Sequence, residues 1–236
     1  SSISVSRLST SSLSRSRPGD VTDSNGSMRG ESESACSVRA TISHVGFLEE
    51  KAKSGDIKTQ LRLGTMYRDG QGVPRNSQKS FYWFLQAANK GNVPAQLRVA
   101  KMLERGVGTN ENKAAAFIWF SKAAKSGNND ALTNVGKMHQ FGIGTQIDLQ
   151  KAFRSYLRAA EQNQSEAQFH VAQMLYKGLG INKDMGNAII WFEKSANQGN
   201  VDAKNLLGTF YLKGIGVPKS TDRGLELIIS AATEGH

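Results

Sequence analysis

Beyond residue 55 the apolar positions follow two helical stripes in alternation. Within 92–127, Ala95, Val99, Met102 and Leu103 stand at i, i+4, i+7 and i+8, which is one face of an α-helix. Gly106-Val107-Gly108 interrupts that stripe, and glycine ends helices readily because it enters the left-handed region without a Cβ clash. A second stripe starts near Asn112 and carries Ala116, Trp119, Phe120, Ala123 and Ala124 before Gly127 closes it. The spacing predicts two helices joined by a glycine turn.

The unit returns every 36 residues without a gap, at 56–91, 92–127, 128–163, 164–199 and 200–235. One column reads Gly70, Gly106, Gly142, Gly178, Gly214, and a second, two residues on, reads Gly72, Gly108, Gly144, Gly180, Gly216. Others read Met66, Met102, Met138, Met174, Phe210 and Thr59, Ala95, Ala131, Ala167, Ala203. A hairpin of this size cannot bury both of its faces alone, so each unit must stack on the next. The prediction for 56–236 is an all-α fold, a right-handed α/α superhelix (solenoid) of five 36-residue helix-turn-helix repeats. Ala87-Ala88 and its equivalents let helices approach closely, and Trp83-Phe84, Trp119-Phe120 and Trp191-Phe192 are expected to fill the space between hairpins as buried core. Upstream, Phe47, Leu48, Ala52 and Gly55 fall on the Trp, Phe, second Ala and closing Gly columns, so 41–55 is expected to supply a half-repeat helix over 42–54. That makes eleven helices and no sheet.

The fifth unit reads Ala203, Leu207-Gly208, Tyr211 and Gly214-Ile215-Gly216-Val217; the second reads Trp119, Lys122-Ala123-Ala124 and Gly127. These motifs resemble the Sel-one-like repeat (SLR) family, a branch of the tetratricopeptide-type α/α superhelices, and the match covers 56–235. Departures are local: Ser155 and Leu227 stand for Trp, and Asn163 for the closing Gly. The resemblance implies a non-catalytic adaptor or scaffold that binds a peptide or partner protein on its concave face. Two alternatives are a regulatory or targeting SLR module of a larger, enzymatic polypeptide and a nucleic-acid-binding repeat protein. The chain starts without Met, which reads as a processed chain or a fragment, and it stops just after a repeat boundary, as the module alternative expects.

Residues 1–40 differ in kind. Fourteen Ser and five Arg, with no Lys and no aromatic residue, provide too little apolar surface to offset ordering entropy, so a disordered tail that folding does not need is expected. Its Arg- and Ser-rich, acid-free start reads as an organelle-targeting segment, as part of a phosphorylatable linker, with Arg7 three before Thr10 and Arg29 three before Ser32, or as a solvated linker with neither task. Without a targeting role the compartment is expected to be the cytoplasm.

Candidate chemistry is sparse. The longest apolar run, Ala114 to Phe120, is far short of the roughly 20 residues of a membrane helix. Each Gly-x-Gly follows a helix rather than a strand, which excludes a dinucleotide fingerprint. One cysteine and four histidines argue against a metal site, and no cofactor is implied. SLR proteins proposed to bind β-lactams carry cysteine pairs in their repeats, whereas Cys36 stands alone in the tail. No catalytic constellation emerges. His139 replaces Tyr67 and Tyr211 on a core-edge column.

Charge is the informative asymmetry. The net charge is +10, and units one and two each hold six basic residues against two acidic, while units four and five balance. Arg62, Arg98, Asn134 and His170 share one polar column of the first helices, and Lys101, Arg105 and Lys137 lie on neighbouring polar positions. Solenoid curvature gathers first helices on the concave face, which makes these seven the candidate partner-binding residues. An acidic or phosphorylated protein segment is the partner they fit; nucleic acid is disfavoured because the aromatics needed for base stacking read as core.

Overall fold

The computed structural model describes residues 44–234, all of whose regular elements are helical. The tail over 1–40 therefore lies outside the described residues. Helix α1 is described over 44–53. Five hairpins follow: α2 (Ile57–Asp69) with α3 (Ser77–Asn89), α4 (Val93–Arg105) with α5 (Lys113–Lys125), α6 (Asn129–Phe141) with α7 (Leu149–Glu161), α8 (Ser165–Lys177) with α9 (Met185–Asn197), and α10 (Val201–Lys213) with α11 (Thr221–Glu234). No strand occurs among the described residues. Each helix from α2 onward packs on its chain neighbours, the pattern of an α/α solenoid.

Local chemistry sets the helix ends. Asp56, Asn92, Asn128 and Asn200 cap the first helices by accepting from a backbone N–H three residues on, and Asn76, Asn112, Asp148 and Asp184 do the same for second helices. Gln164 makes no such cap. Its side chain instead reaches back to the preceding first helix, accepting from Thr133 Oγ1 and donating to Asp130 Oδ1 at 3.1 Å. First helices end on Gly70, Gly106, Gly142, Gly178 and Gly214, all left-handed. The last residue of each turn then donates back to the first helix, as Asn112 N does to Leu103 O at 2.8 Å. Asn163, the one departure from the closing Gly column, has φ 63°, and asparagine is the residue that best tolerates that region after glycine.

The second turn glycine has a different task. A Cβ on Gly108 would lie 2.0 Å from Ser77 O, on Gly144 2.1 Å from Lys113 O, and on Gly180 2.6 Å from the Leu149 carbonyl carbon. These three turns thus rest directly on the N-terminal backbone of the preceding unit's second helix, whereas Gly216 of the fifth unit meets the side chains of Met185 and Ile189. Within units, Gly64 and Gly136 let the Phe84 and Tyr156 rings lie flush against the first helix, where a Cβ would meet ring carbons at 2.8 and 2.6 Å.

The core is a continuous layer of Ala pairs, aliphatics and the rings of Phe84, Phe120, Tyr156 and Phe192. At the N-terminal end, Val45, Leu48 and Ala52 of α1 pack with Leu63, Met66, Tyr67 and Trp83. Polar ties join the units. Gln60, Gln96 and Gln168 donate to the carbonyls of Ala52, Ala88 and Ala160 at 2.9, 3.4 and 3.2 Å, serving C-terminal carbonyls of the preceding second helix. Tyr67 donates to Glu49 across the α1–α2 boundary at 2.6 Å, and Tyr211 to Glu193 across the α9–α10 boundary at 3.2 Å. Buried His139, on the same column, meets Phe117 edge-on at 5.1 Å.

The tryptophan column departs from the expectation of buried core. Trp83 is buried, but Trp119 and Trp191 are half-buried. Adjacent residues on a helix point about 100° apart, so the Phe takes the centre of the core and the Trp its edge, and of the three tryptophans Trp83, packed with α1, is the one closed over. Lys122 and Lys194 lie over the outer rings at 4.1 and 4.2 Å from the centroids.

Two outcomes follow. Phe120→Ala should cost about 3–5 kcal/mol, as expected for a fully buried ring, and Trp119→Ala clearly less; equal midpoint losses in denaturant melts would contradict this packing. Gly144→Ala should destabilise strongly through both its φ of 67° and its backbone clash, and hydrogen exchange should show the loss first at the junction of units two and three.

Candidate functional site

Helix α4 buries Ala95, Val99, Ala100 and Leu103, which leaves Arg98, Lys101 and Arg105 together on its outer side at i, i+3 and i+7. With Arg68 from the last turn of α2 they line a recess of about 280 Å³. Phe84, Met102 and Val107 supply its apolar lining, and the guanidinium carbon of Arg98 stands 5.3 Å from the Phe84 ring centroid. Among the described residues no carboxylate pairs with Arg98, Lys101 or Arg105, and none of the three side chains donates a hydrogen bond. Arg68 is held by Asp69 through bonds of 2.7 and 2.8 Å. That fork holds the Asp69 carboxyl below the usual carboxylate range, with the fields of Arg75 and Arg98 adding to it.

An adjoining recess of about 240 Å³ shares Lys101 and Arg105 and is completed by Glu104, Asp130, Asn134, Lys137 and Glu166. It brings the first helices α4, α6 and α8 to one surface. Here the charges compensate. Lys137 Nζ bonds Glu166 Oε1 at 2.5 Å, and Asn134 Nδ2 donates to the Asp130 carbonyl at 2.7 Å.

The seven candidate residues therefore divide. Arg98, Lys101 and Arg105 converge, and Asn134 and Lys137 lie beside them but are engaged internally. Arg62 lines a separate recess with Leu61, Thr65, Met66 and Gln71, where no second cation joins it. His170 is no open surface histidine: its ring stacks on Tyr156 at 4.6 Å with a 19° interplanar angle. Its Nδ1 is buried without a partner. Burial foremost, with help from the Lys137 charge, lowers its pKa to about 4. Arg68 was missed by sequence reasoning, since its column otherwise holds Glu104, Gln140, Tyr176 and Leu212; only the surplus charge of the first unit hinted at it.

The arrangement offers fixed positive charge beside apolar surface. Among the described residues no three His, Cys, Asp or Glu side chains come together to hold a metal ion, and no described helix is long and apolar enough to cross a membrane.

The Sel1 repeat family model matches residues 57–92, 93–128, 129–164, 165–200 and 201–236, so the chain belongs to the Sel1 repeat family. It is similar to the solved SLR-fold structure of c5321, a protective antigen present in uropathogenic Escherichia coli strains, with 33% identity and a TM-score of 0.76. That match covers 80% of this chain but 41% of c5321. A Sel1 repeat protein from Oxalobacter formigenes is similar at 28% identity and a TM-score of 0.76, over 86% of this chain and 84% of that one. No curated protein sequence matches.

His170 generates a pH prediction. Its folded pKa, about 4, lies below the unfolded value near 6.5, so stability is full above the unfolded value. As pH falls from about 6.5 to 4 the unfolded chain gains a proton that the folded one refuses, which removes up to about 1.4 kcal/mol per pH unit. His170→Asn, the residue found at this column in Asn134, should flatten that part of the stability profile in urea melts taken from pH 7 to 4.

Proposed function

We propose that this chain is a non-catalytic protein-interaction scaffold that holds an acidic segment of a partner along the surface of its first helices. The single observation that carries the reading is the trio Arg98, Lys101 and Arg105, free of internal carboxylates and set beside the apolar lining of one recess. A free cation meets a ligand without first breaking an internal pair, whereas Lys137 would have to leave Glu166. Membership of a repeat family whose stacked hairpins expose long continuous surfaces supports the same reading.

Each exposed ion pair contributes only about 0.2–1 kcal/mol, so affinity requires several such pairs together with apolar contact. Phosphate groups on the partner segment would strengthen it through bidentate bonds to the two arginines. Arg62, Asn134, Lys137 and His170 stand outside this centre. Nucleic acid is the weaker candidate, because Phe84, the ring that lines the Arg98 recess, is buried, and Glu104, Asp130 and Glu166 stand beside the cations where a phosphate backbone would meet them.

The test is charge reversal. Arg98→Glu with Lys101→Glu should abolish recovery of partners from the protein's own cells while leaving the helical circular dichroism unchanged, and raising salt should weaken wild-type binding moderately. Recovery of the same partners by the reversed-charge protein would leave the basic surface as solvation alone.

A further inference from the structure

In four of the five units the last residue of the first helix is charged: Asp69, Arg105, Lys177 and Lys213. In the third it is Phe141, whose side chain is 60% exposed. Six residues later the column reads Arg75, Glu111, Lys183 and Lys219, and the third unit has Ile147, 65% exposed. Single exposed apolar residues are ordinary on protein surfaces. Two polar columns switched together in one unit are a different matter, and the two side chains flank the same turn. Ile147 lies over Gly142, the residue after Phe141, closely enough that a Cβ there would come within 2.9 Å of its Cγ1. Neither side chain belongs to the buried core, so folding does not require them.

Their place relative to the cations is set by the fold. Phe141 follows Asn134 and Lys137 at i+7 and i+4 on the same side of α6, and those two residues line the recess that Arg105 and Lys101 share. By repeat register Phe141 is the equivalent of Arg105 one unit on.

Resting on the function proposed above, we infer that the α6–α7 turn is the apolar anchor of that surface, and that its occupant is an acidic protein segment bearing a bulky aliphatic or aromatic side chain. The acidic residues meet Arg98, Lys101 and Arg105, and the bulky side chain packs on Phe141 and Ile147. Charge complementarity selects a peptide over an anionic bilayer or a nucleic acid. Asp130 and Glu166 line the recess that Lys101 and Arg105 share, and a uniformly anionic surface laid across it would meet them as well. A peptide can place neutral residues there.

Lysine at both positions is native to other units, which makes Phe141→Lys with Ile147→Lys a pair that the fold accommodates. A random peptide display library would be panned against the wild-type chain, this double variant, and Arg98→Glu with Lys101→Glu. Wild type should enrich peptides that combine Asp or Glu with Leu, Ile, Phe or Trp. The lysine pair should lose the apolar preference, and a synthetic copy of an enriched peptide should bind it about tenfold or more weakly. Enrichment of acidic peptides that depends on Arg98 and Lys101 but not on Phe141 and Ile147 would overturn the anchor and leave the scaffold reading standing. Absence of any enrichment would overturn both. Sedimentation equilibrium of the same proteins supplies the remaining outcome: a wild-type dimer made monomeric by the lysine pair would show a second copy, not a peptide, on this turn.

Discussion

The contact on which the stack depends is backbone against backbone. In the second, third and fourth units the second glycine of the turn, Gly108, Gly144 or Gly180, rests on the first residue of the preceding unit's second helix, at a separation that no Cβ would allow. Side-chain packing tolerates repacking, but this approach does not, and it sets how far each unit advances along the solenoid. The left-handed cap at the first glycine aims the turn, and the bond from its last residue back to the first helix closes it. Once these are formed, the Ala pairs and aromatic rings have only one distance to fill.

Fixing the backbone spacing this tightly relaxes the demand on everything outside the core. Ring identity changes between units, Phe84 and Phe120 giving way to Tyr156, whose hydroxyl donates to Gln140 at 2.8 Å. Ties between units change as well: a Gln bonds the preceding carbonyl in units one, two and four, while Leu132 and Lys204 stand on that column in the others. Solenoid stability is a sum over neighbouring interfaces, so such substitutions act locally. The outer columns of the first helices are under no packing constraint, and there the units differ most.

The repeat, its register, the helix pairs and the helix-ending role of the turn glycines were legible because each is written five times at a fixed spacing, but the contact that the second glycine makes with the preceding unit was not. What escaped was anything decided by direction within a helix or by a neighbour's side chain. Trp119 and Phe120 are both apolar, and only the packed structure shows that the Phe takes the core and the Trp the edge under Lys122. His170 read as polar surface from its column, but Tyr156, of the preceding second helix, stacks on its ring. Likewise the basic residues of units one to three read as one patch, although Glu166 of the fourth unit claims Lys137. Pairing across units is a property of the assembled stack, and a column-by-column reading does not contain it.

Those pairings give the remaining cations their meaning. Several carboxylates elsewhere are taken up by the fold: Glu49 by Tyr67 and Lys79, Glu193 by Tyr211, Glu234 by Lys204, and Glu111 by Lys113. Arg98, Lys101 and Arg105 are left as like charges at i, i+3 and i+7 on one helix, a spacing that costs a few tenths of a kcal/mol per pair. The buried packing of α4 itself is made by Ala95, Val99, Ala100 and Leu103. What the fold returns for them is small: Arg98 lies over the Phe84 ring, and Arg105 sits in the last turn of α4, where positive charge suits the helix dipole. An acidic ligand would remove the repulsion and supply the missing partners at once, so the same three residues that weaken the free helix would strengthen the bound one. The exposed Phe141 and Ile147 follow the same logic in apolar form: left in water by the folded chain, they lower the free energy only when something covers them.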